Sequence, residues 1–217
     1  MILKSLFIFS VFFFSACEKK KVAIAENKSK VTFPAVGNYA ISTSSSKLSW
    51  IGKEITTKIH TGTIDIQNGN LEIDSDSLIT GQVSMNMSTI NVTDLEGRSK
   101  EYLEKHLKSG DFFSVTDHPN AILSFKSKKY HSKDNKITFD GQLSIKSITH
   151  PITFEAFLEE GSSLINAKAS FSFDRTKYDV KFRSGSFFTD LGDKLILDDI
   201  GIEMVLSAEK RLVQTNF

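Results

Sequence analysis

The chain has 217 residues, of which 40% are hydrophobic and 24% are charged, so it can bury a core and is not disordered by composition. Its formal net charge of +1 gives no support to a nucleic-acid-binding function. The single Cys excludes an intramolecular disulfide framework and any metal site built from several thiolates.

Residues 1–16 have the layout of an export signal. Lys4 is the only charge before Glu18, and the apolar segment SLFIFSVFFFSA lies between them. This segment is shorter than the roughly 20 apolar residues that a membrane-spanning helix needs. A positive start, an apolar middle and small residues before the cleavage point are typical of a secretory signal peptide. We therefore predict that residues 1–16 are removed.

Cys17 follows this signal in the string FSAC, which resembles a bacterial lipobox. In a lipobox the Cys is lipidated and becomes the mature N-terminus. The alternative is an ordinary signal peptide followed by a chance Cys. Acyl chains contribute about 0.8 kcal/mol per buried methylene, so two or three of them anchor a protein firmly. We predict a membrane-anchored lipoprotein of the bacterial cell envelope that faces the periplasm, with residues 17–36 as a polar tether.

From Gly37 onward, apolar and polar residues alternate with a period of two, which is typical of half-buried strands. Asn68-Gly69 lies between two such runs and predicts a hairpin turn. The runs predict about eight antiparallel strands, which can close into a barrel or pack as two sheets. The predicted domain covers residues 37–209, and residues 210–217 form a C-terminal tail.

The segment SKEYLEKHLKSG breaks this alternation. Ser99 is a candidate N-cap, and Gly110 lies just past the last helical position, so we predict one short amphipathic helix over about residues 99–108. A lone helix of this length is marginal by itself and must lay its apolar face on the sheet. The residues on that face are Tyr102, Leu103, His106 and Leu107.

Five blocks of the sequence resemble successive blocks of the YceI-like family. They are LSWIGKEITTKIHTGTIDI, SGDFFSVTDHPNAILSF, DGQLSIKSITHPITF, DRTKYDVKFRS and LILDDIGIEMVL, and they extend from about Gly37 to Glu209. The resemblance implies a lipocalin-like antiparallel barrel whose apolar tunnel holds a polyisoprenoid lipid, such as a quinone tail or an isoprenyl chain, without an enzymatic reaction. Ser147-Ile148 stands where family members often have Gly-Val, so we expect a slightly different turn there.

The alternation and the resemblance together predict which inward side chains line the tunnel. A barrel of about eight strands either fills its interior or holds one small ligand, and the pattern alone leaves both possibilities open. Trp50 could equally be a core anchor, and Phe112-Phe113 could simply form a helix-to-strand corner. The predicted lining is Trp50, Ile64, Met85, Leu103, Leu107, Phe112, Phe113, Phe125, Phe139, Leu143, Phe154, Phe171, Phe173 and Met204.

Two arginines are candidates for contact with a lipid headgroup. Arg175 and Arg183 flank Tyr178, and a pair of guanidinium groups at a barrel mouth could bind a diphosphate. The alternative is that each pairs with a nearby Asp and fixes the loop. None of the five His is at metal-ligand spacing, and no phosphate-binding or catalytic motif is present. We predict no cofactor, no metal and no catalytic residue.

Three functions remain at this point. The first is a lipoprotein that binds an isoprenoid lipid for storage or transport by burial alone. The second is a solid-cored barrel that docks a partner in the envelope. The third is an enzyme acting on an isoprenoid or quinone, which needs convergent polar groups deep in the pocket that strand alternation does not supply. The shape of the interior distinguishes the first two.

Overall fold

The computed structural model describes residues 33–128, 136–160 and 164–211. The predicted signal peptide, Cys17 and most of the predicted tether lie outside these residues, as does the predicted tail beyond Arg211. The described parts contain one α-helix, α1 (Gly97–Lys108), and nine strands. The strands are β1 (Gly37–Ile41), β2 (Lys47–Lys53), β3 (Ile59–Ile73), β4 (Ile79–Val92), β5 (Asn120–Ser127), β6 (Lys136–Ile145), β7 (Ile148–Glu160), β8 (Leu164–Asp174) and β9 (Asp199–Lys210).

The strands close into an antiparallel barrel in which β1 and β2 share one position. Both lie between β3 and β9: Tyr39 of β1 pairs with Leu71 and Lys210, whereas Trp50 of β2 pairs with Gly62 and Ile202. The remaining strands follow in chain order from β3 to β9. The nine strands therefore occupy eight positions around the barrel, which confirms the predicted architecture of about eight strands with one helix.

The hairpin predicted at Asn68-Gly69 is wrong, because β3 continues through it to Ile73. The register between β3 and β4 shifts here, between Ile66 and Asn68. A bulge adds one residue to a strand and reverses the side on which later side chains point. Gly69 allows a close approach of β4, since a Cβ there would lie 2.9 Å from the Gln82 carbonyl oxygen.

The β6–β7 hairpin turn is the site of the departure from the family pattern. Lys146 and Ser147 occupy it with φ values of 50° and 60°. Positive φ at both central residues is typical of the tight turns that match the twist of a hairpin. Ser147 Oγ also lies 3.1 Å from Nδ1 of His118, so the turn is joined to the loop before β5.

Helix α1 begins at Gly97, slightly before the predicted start, with Glu96 rather than Ser99 as the N-cap. It ends at Lys108, as predicted, and Ser109 N–H donates to the carbonyl of His106 at 3.1 Å. Leu103 and Leu107 pack against the core cluster. Among the described residues, no helix has the length and apolar character to cross a bilayer.

The barrel interior is packed at one end and hollow at the other. The packed end contains Ile73, Ile137 and Leu158, which are all at least 95% buried. The hollow end lies beneath α1. The same strand can contribute to both: on β9, Ala208 belongs to the packed end and Met204 borders the hollow.

Candidate ligand-binding cavity

A cavity of about 540 Å³ occupies the hollow end of the barrel. This volume is within the range of sites that hold small ligands, about 300–1,000 Å³. Its wall is formed by inward side chains of β2, β3, β4, β5, β6, β8 and β9, together with α1 and the loop of residues 181–198. Most of these side chains are apolar, so the cavity suits an apolar guest.

Eleven of the fourteen residues predicted to line a tunnel border this cavity. Their part in binding stays a prediction, but the structure brings them together around one space. They are Trp50, Ile64, Met85, Leu103, Leu107, Phe112, Phe113, Leu143, Phe171, Phe173 and Met204.

Phe125, Phe139 and Phe154 point inward as predicted but do not border the cavity. The rings of Phe139 and Phe154 stack with centroids 5.3 Å apart and planes 15° apart. Phe125 packs edge-on against both, at 5.3 and 5.9 Å. These three rings form a layer of the packed end next to the cavity, here called its floor, because the Phe154 ring lies 5.2 Å from that of Phe171, which borders the cavity. Strand alternation determines the face of a side chain but not its height along the barrel, so the pattern could not separate this layer from the cavity wall.

The Trp50 indole is a buried polar group of the cavity wall that has no hydrogen-bond partner. The residue is 8% exposed, and its Nε1 has no hydrogen-bond partner among the described residues. A buried donor without a partner costs about 1–3 kcal/mol. Trp50 therefore contributes one unsatisfied N–H to the cavity wall.

A cluster of aromatic rings joins α1 to the loop of residues 181–198 at the cavity wall. The His106 ring packs edge-on against Phe112 at 4.9 Å and against Phe182 at 4.6 Å. His106 Nε2 also lies 3.3 Å from Oδ2 of Asp111. Phe113 N–H donates to the carbonyl of Leu107, so Phe112 and Phe113 are both a helix-to-strand corner and part of the cavity wall.

Asp94 fixes the loop between β4 and α1 to β3. Its carboxylate accepts from the Thr61 N–H at 2.8 Å and lies 2.8 Å from Nδ1 of His60, which borders the cavity. Desolvation acts to raise the pKa of Asp94, but the Thr61 N–H and His60 outweigh it and hold the pKa below its usual value.

Arg175 borders the cavity, but its guanidinium is used to hold the loop of residues 181–198. The residue is 1% exposed and donates to the carbonyls of Leu197, Val180 and Ile196 at 3.2, 2.8 and 3.1 Å. Its Nη2 also lies 3.3 Å from Oδ1 of Asp198. Burial lowers the pKa of Arg175, and Asp198 partly opposes this effect. The structure thus favours the loop role over headgroup contact for Arg175.

Arg183 differs, because its guanidinium lies over an aromatic ring instead of pairing with a carboxylate. Its Cζ lies 5.1 Å from the centroid of Phe182, and the residue is half-buried at the cavity wall. Within residues 33–128, 136–160 and 164–211, no carboxylate oxygen lies within 4.0 Å of it. Arg183 remains a candidate for headgroup contact.

Several wall residues were not predicted from the sequence. Ile90 is one of them: it follows a change in burial parity on β4, so the alternation that places Met85 and Met87 inward puts Ile90 on the opposite face. The other unpredicted wall residues lie in loops or near the ends of strands and helices, where apolar residues have no periodicity. Only Arg98 could have been found from the sequence, by the helical spacing of its neighbours. This group includes Lys53, His60, Leu95, Arg98, Phe182 and Ile196. No group of three or more His, Cys, Asp or Glu positioned to hold a metal ion occurs in the described parts of the chain.

A family profile described as "YceI-like domain" matches residues 39–208, which is most of the chain. The chain belongs to the YceI-like domain family. Among curated proteins, it is 31% identical over 106 residues to a UPF0312 protein of Pectobacterium carotovorum, a match that covers 48% of this chain and 52% of that one. It is 32% identical over 97 residues to the protein YceI of Shigella flexneri, covering 45% and 48%. The chain spans about half the length of these curated relatives.

Two solved structures have the same fold as this YceI-like domain. BcnA of Burkholderia cenocepacia is 17% identical with a TM-score of 0.59, covering 77% of this chain and 98% of BcnA. A polyisoprenoid binding domain of Saccharophagus degradans, implicated in plant cell wall breakdown, is 10% identical with a TM-score of 0.56, covering 82% and 100%. At these identities the likeness shows a shared fold.

Proposed function

We propose that this YceI-like protein binds an isoprenoid-type lipid, either a quinone tail or a polyprenyl chain, for storage or transport in the bacterial envelope. The observation that carries the proposal is the apolar cavity of about 540 Å³ beneath α1. The description of the Saccharophagus degradans neighbour as a polyisoprenoid binding domain supports the choice of ligand. A hollow barrel end also favours cargo binding over a solid-cored docking module.

The proposed mechanism is burial without catalysis. Each isoprene unit transferred from water to an apolar wall gains up to about 3 kcal/mol before ordering costs. Met85, Met87 and Met204 border the cavity, and flexible thioether side chains adapt to irregular apolar shapes. We therefore expect loose discrimination among lipid heads and sharper discrimination of tail length.

Trp50 provides the binding experiment, because it is the single Trp of the chain and borders the cavity. Titration of delipidated full-length protein with a short-tailed quinone should quench its fluorescence saturably. Organic extraction of protein from its native host, followed by mass spectrometry, should recover an isoprenoid. Absence of both signals would overturn the proposal.

A matched pair of variants separates cavity binding from binding to the outer surface. Ala121 borders the cavity, so Ala121→Phe fills part of it and should weaken quenching by about tenfold or more. Val205 is 37% exposed on β9, so Val205→Phe adds the same ring type outside the barrel and should leave quenching unchanged. Equal effects of the two substitutions would place the quinone outside the cavity.

We further propose that Cys17 carries the lipid anchor and that residues 17–36 tether the barrel to a membrane of the envelope. The string FSAC and the single Cys support this part of the proposal. Mass spectrometry of the N-terminal peptide should find acyl chains on Cys17. Cys17→Ala should move the protein from the membrane fraction to the soluble fraction, and an unmodified Cys17 would refute the anchor.

A further inference from the structure

Exposed apolar side chains gather at the hollow end of the barrel, outside the cavity. Nine large hydrophobic residues are exposed among the described residues, and six of them lie at this end. Of the other three, Val36 lies at the packed end, and Phe157 and Val205 lie on the outer wall. Single exposed apolar side chains are ordinary, whereas a cluster of them marks an interaction site. The six are Ile55, Ile59, Tyr102, Phe187, Phe188 and Leu197.

Backbone hydrogen bonds hold the β2–β3 loop beside the loop that precedes β9. Ile55 N–H donates to the Leu195 carbonyl at 2.8 Å, and Leu197 N–H donates to the Lys53 carbonyl at 2.8 Å. A Cβ on Gly185 would lie 2.7 Å from Cδ1 of Leu195, so the turn that carries the two exposed Phe packs here too. The exposed residues of these two loops and the adjoining start of β3 form one surface, here called the mouth patch. It consists of Ile55, Ile59, Phe187, Phe188 and Leu197.

The mouth patch adjoins the cavity without lining it. None of its five residues borders the cavity. Their chain neighbours Glu54, His60 and Ile196 do border it, which places the patch on the outer side of the opening. The patch therefore does not enclose a guest, and its residues can be replaced without changing the cavity wall.

Lysine ammonium groups surround the mouth patch. Nζ of Lys181 lies 5.0 Å from the centroid of the Phe187 ring and 2.7 Å from Oδ1 of Asp179. Other lysines beside the patch are exposed, namely Lys53, Lys58 and Lys194. Residues 53–59 and 181–197 together contain five cationic and three acidic residues, so the charge of these segments complements an anionic surface.

Apolar side chains on loop tips with lysines beside them are typical of protein segments that enter the surface of a bilayer. The apolar groups insert between headgroups and acyl chains, while the ammonium groups reach the lipid phosphates. A protein partner would instead need a continuous complementary face, whereas the mouth patch is divided among two loops and the end of a strand.

We propose that the mouth patch docks the barrel on the surface of a lipid bilayer, with the cavity opening toward the lipid. The inference goes beyond cargo binding, because it concerns an outer surface of the domain. Its purpose rests on the proposed function: an apolar guest then passes between cavity and bilayer without crossing water. Docking itself is measurable without any guest.

The length of chain before the barrel permits this docking. Gly37 pairs with Ile73, so β1 begins at the packed end, opposite the mouth patch. Strand β3 has 15 residues, which at a typical strand tilt makes the barrel roughly 40 Å tall. Residues 17–32 span at most about 55 Å when extended. A chain anchored at Cys17 is therefore long enough for the mouth patch to touch the same membrane.

The first experiment measures whether the mouth patch enters lipid. Full-length Phe188→Trp and Phe157→Trp proteins are reconstituted with phosphatidylcholine and phosphatidylglycerol vesicles, with and without brominated acyl chains that quench indole on contact. The two positions are matched, at 51% and 50% exposure. After subtraction of the Trp50 signal of the unmodified protein, brominated lipid should quench Phe188→Trp about twofold or more and leave Phe157→Trp unchanged. Vesicles of phosphatidylcholine alone should give weaker quenching, because they lack the anionic headgroups that attract lysine.

The second experiment tests the purpose of docking. Protein loaded with a short-tailed quinone is mixed with acceptor vesicles. Replacing both aromatic residues, Phe187→Ser with Phe188→Ser, should slow quinone transfer about fivefold or more. Affinity for the quinone, measured by Trp50 fluorescence, should stay unchanged, since neither Phe borders the cavity. Phe157→Ser is the control and should alter neither quantity, and thermal melting checks that each variant is folded.

Different outcomes overturn different statements. Absence of quenching in Phe188→Trp would refute docking and leave quinone binding intact. Equal quenching of both added indoles would show that the side wall lies on the lipid and would refute the mouth patch. A dimer in sedimentation that disappears in the double Ser variant would assign the patch to a second copy of the chain and refute the bilayer. Failure of the unmodified protein to bind quinone would refute the proposed function, while the quenching result would still decide docking.

Discussion

Trp50 and Gly62 face each other across β2 and β3 with no room for an added methyl group. A Cβ on Gly62 would lie 2.4 Å from both Cε2 and Cζ2 of the indole and 2.2 Å from the Asn91 carbonyl oxygen. Gly62 thus sets the position of the one Trp in the cavity wall.

Gly62→Ala should displace the Trp50 ring and change the cavity. Overpacking of this kind costs about 1–3 kcal/mol, and the displaced indole should shift its fluorescence maximum. Gly110→Ala is the control, because no atom lies within 4 Å of the added Cβ and Gly110 has no positive φ. Chemical denaturation and fluorescence spectra measure both effects; equal behaviour of the two variants would contradict the close contact.

Phe154→Ala should remove one ring of the cavity floor. Large-to-small substitutions of a buried Phe cost about 3–5 kcal/mol, and the space left behind should join the cavity above. We expect the variant to accept longer prenyl tails than the unmodified protein. Phe157→Ala, on the same strand but 50% exposed, should cost less than about 1 kcal/mol and leave tail selection unchanged.

Arg175→Met should destabilise the protein more than any substitution of an exposed Arg. The change leaves three carbonyls and Asp198 without their buried cationic partner, which costs roughly 3–5 kcal/mol. Amide hydrogen exchange in residues 181–198 should also accelerate. Arg211→Met, at an exposed position, is the control and should change stability by less than about 0.5 kcal/mol. Unchanged exchange in the loop would show that Arg175 does not hold it.

Asp94→Asn should lower stability near neutral pH by roughly 1 kcal/mol, since the carboxylate accepts from Thr61 and contacts His60. Because the pKa of Asp94 is lowered in the folded state, its stabilisation is complete above the ordinary Asp pKa of about 4 and is lost as pH falls through the lowered value. The difference in melting temperature between the two proteins should therefore shrink at acid pH.

The control for this pH dependence is Asp193→Asn. Asp193 is exposed, and its side chain makes no hydrogen bond or ion pair with the described residues. The melting curve of the Asp193→Asn variant should follow that of the unmodified protein at each pH. A constant difference between Asp94→Asn and the unmodified protein down to about pH 2 would contradict the lowered pKa.

Strand alternation predicted the antiparallel strands because each strand has one dry and one wet face, but it left a barrel and a two-sheet packing open, and the family resemblance favoured the barrel. On β6, Phe139 and Leu143 both point inward, as their spacing requires. The same spacing gave no sign that Phe139 belongs to the floor and Leu143 to the cavity wall. That division depends on the tilt and stagger of the strands, which place inward residues of different strands at the same height.

Loop residues of the cavity were harder to predict for a different reason. Arg183 and Phe182 belong to a segment without periodicity, and Arg175 is satisfied by backbone carbonyls. A sequence reveals nearby carboxylates as possible partners for an Arg but cannot reveal carbonyls that a fold brings together. Headgroup contact and loop support therefore looked alike for both arginines. The structure favours loop support for Arg175, and headgroup contact by Arg183 stays a prediction.

The stacked Phe139 and Phe154 rings belong to the packed end of the barrel, behind the residues that border the cavity. A ligand bound as proposed has no passage through this packed end, so it must leave by the opening through which it entered. A second ligand cannot displace the first through the packed end, so an occupied cavity must release its ligand before it binds another. For the proposed lipid ligand, turnover is then governed by the dissociation rate of the bound molecule.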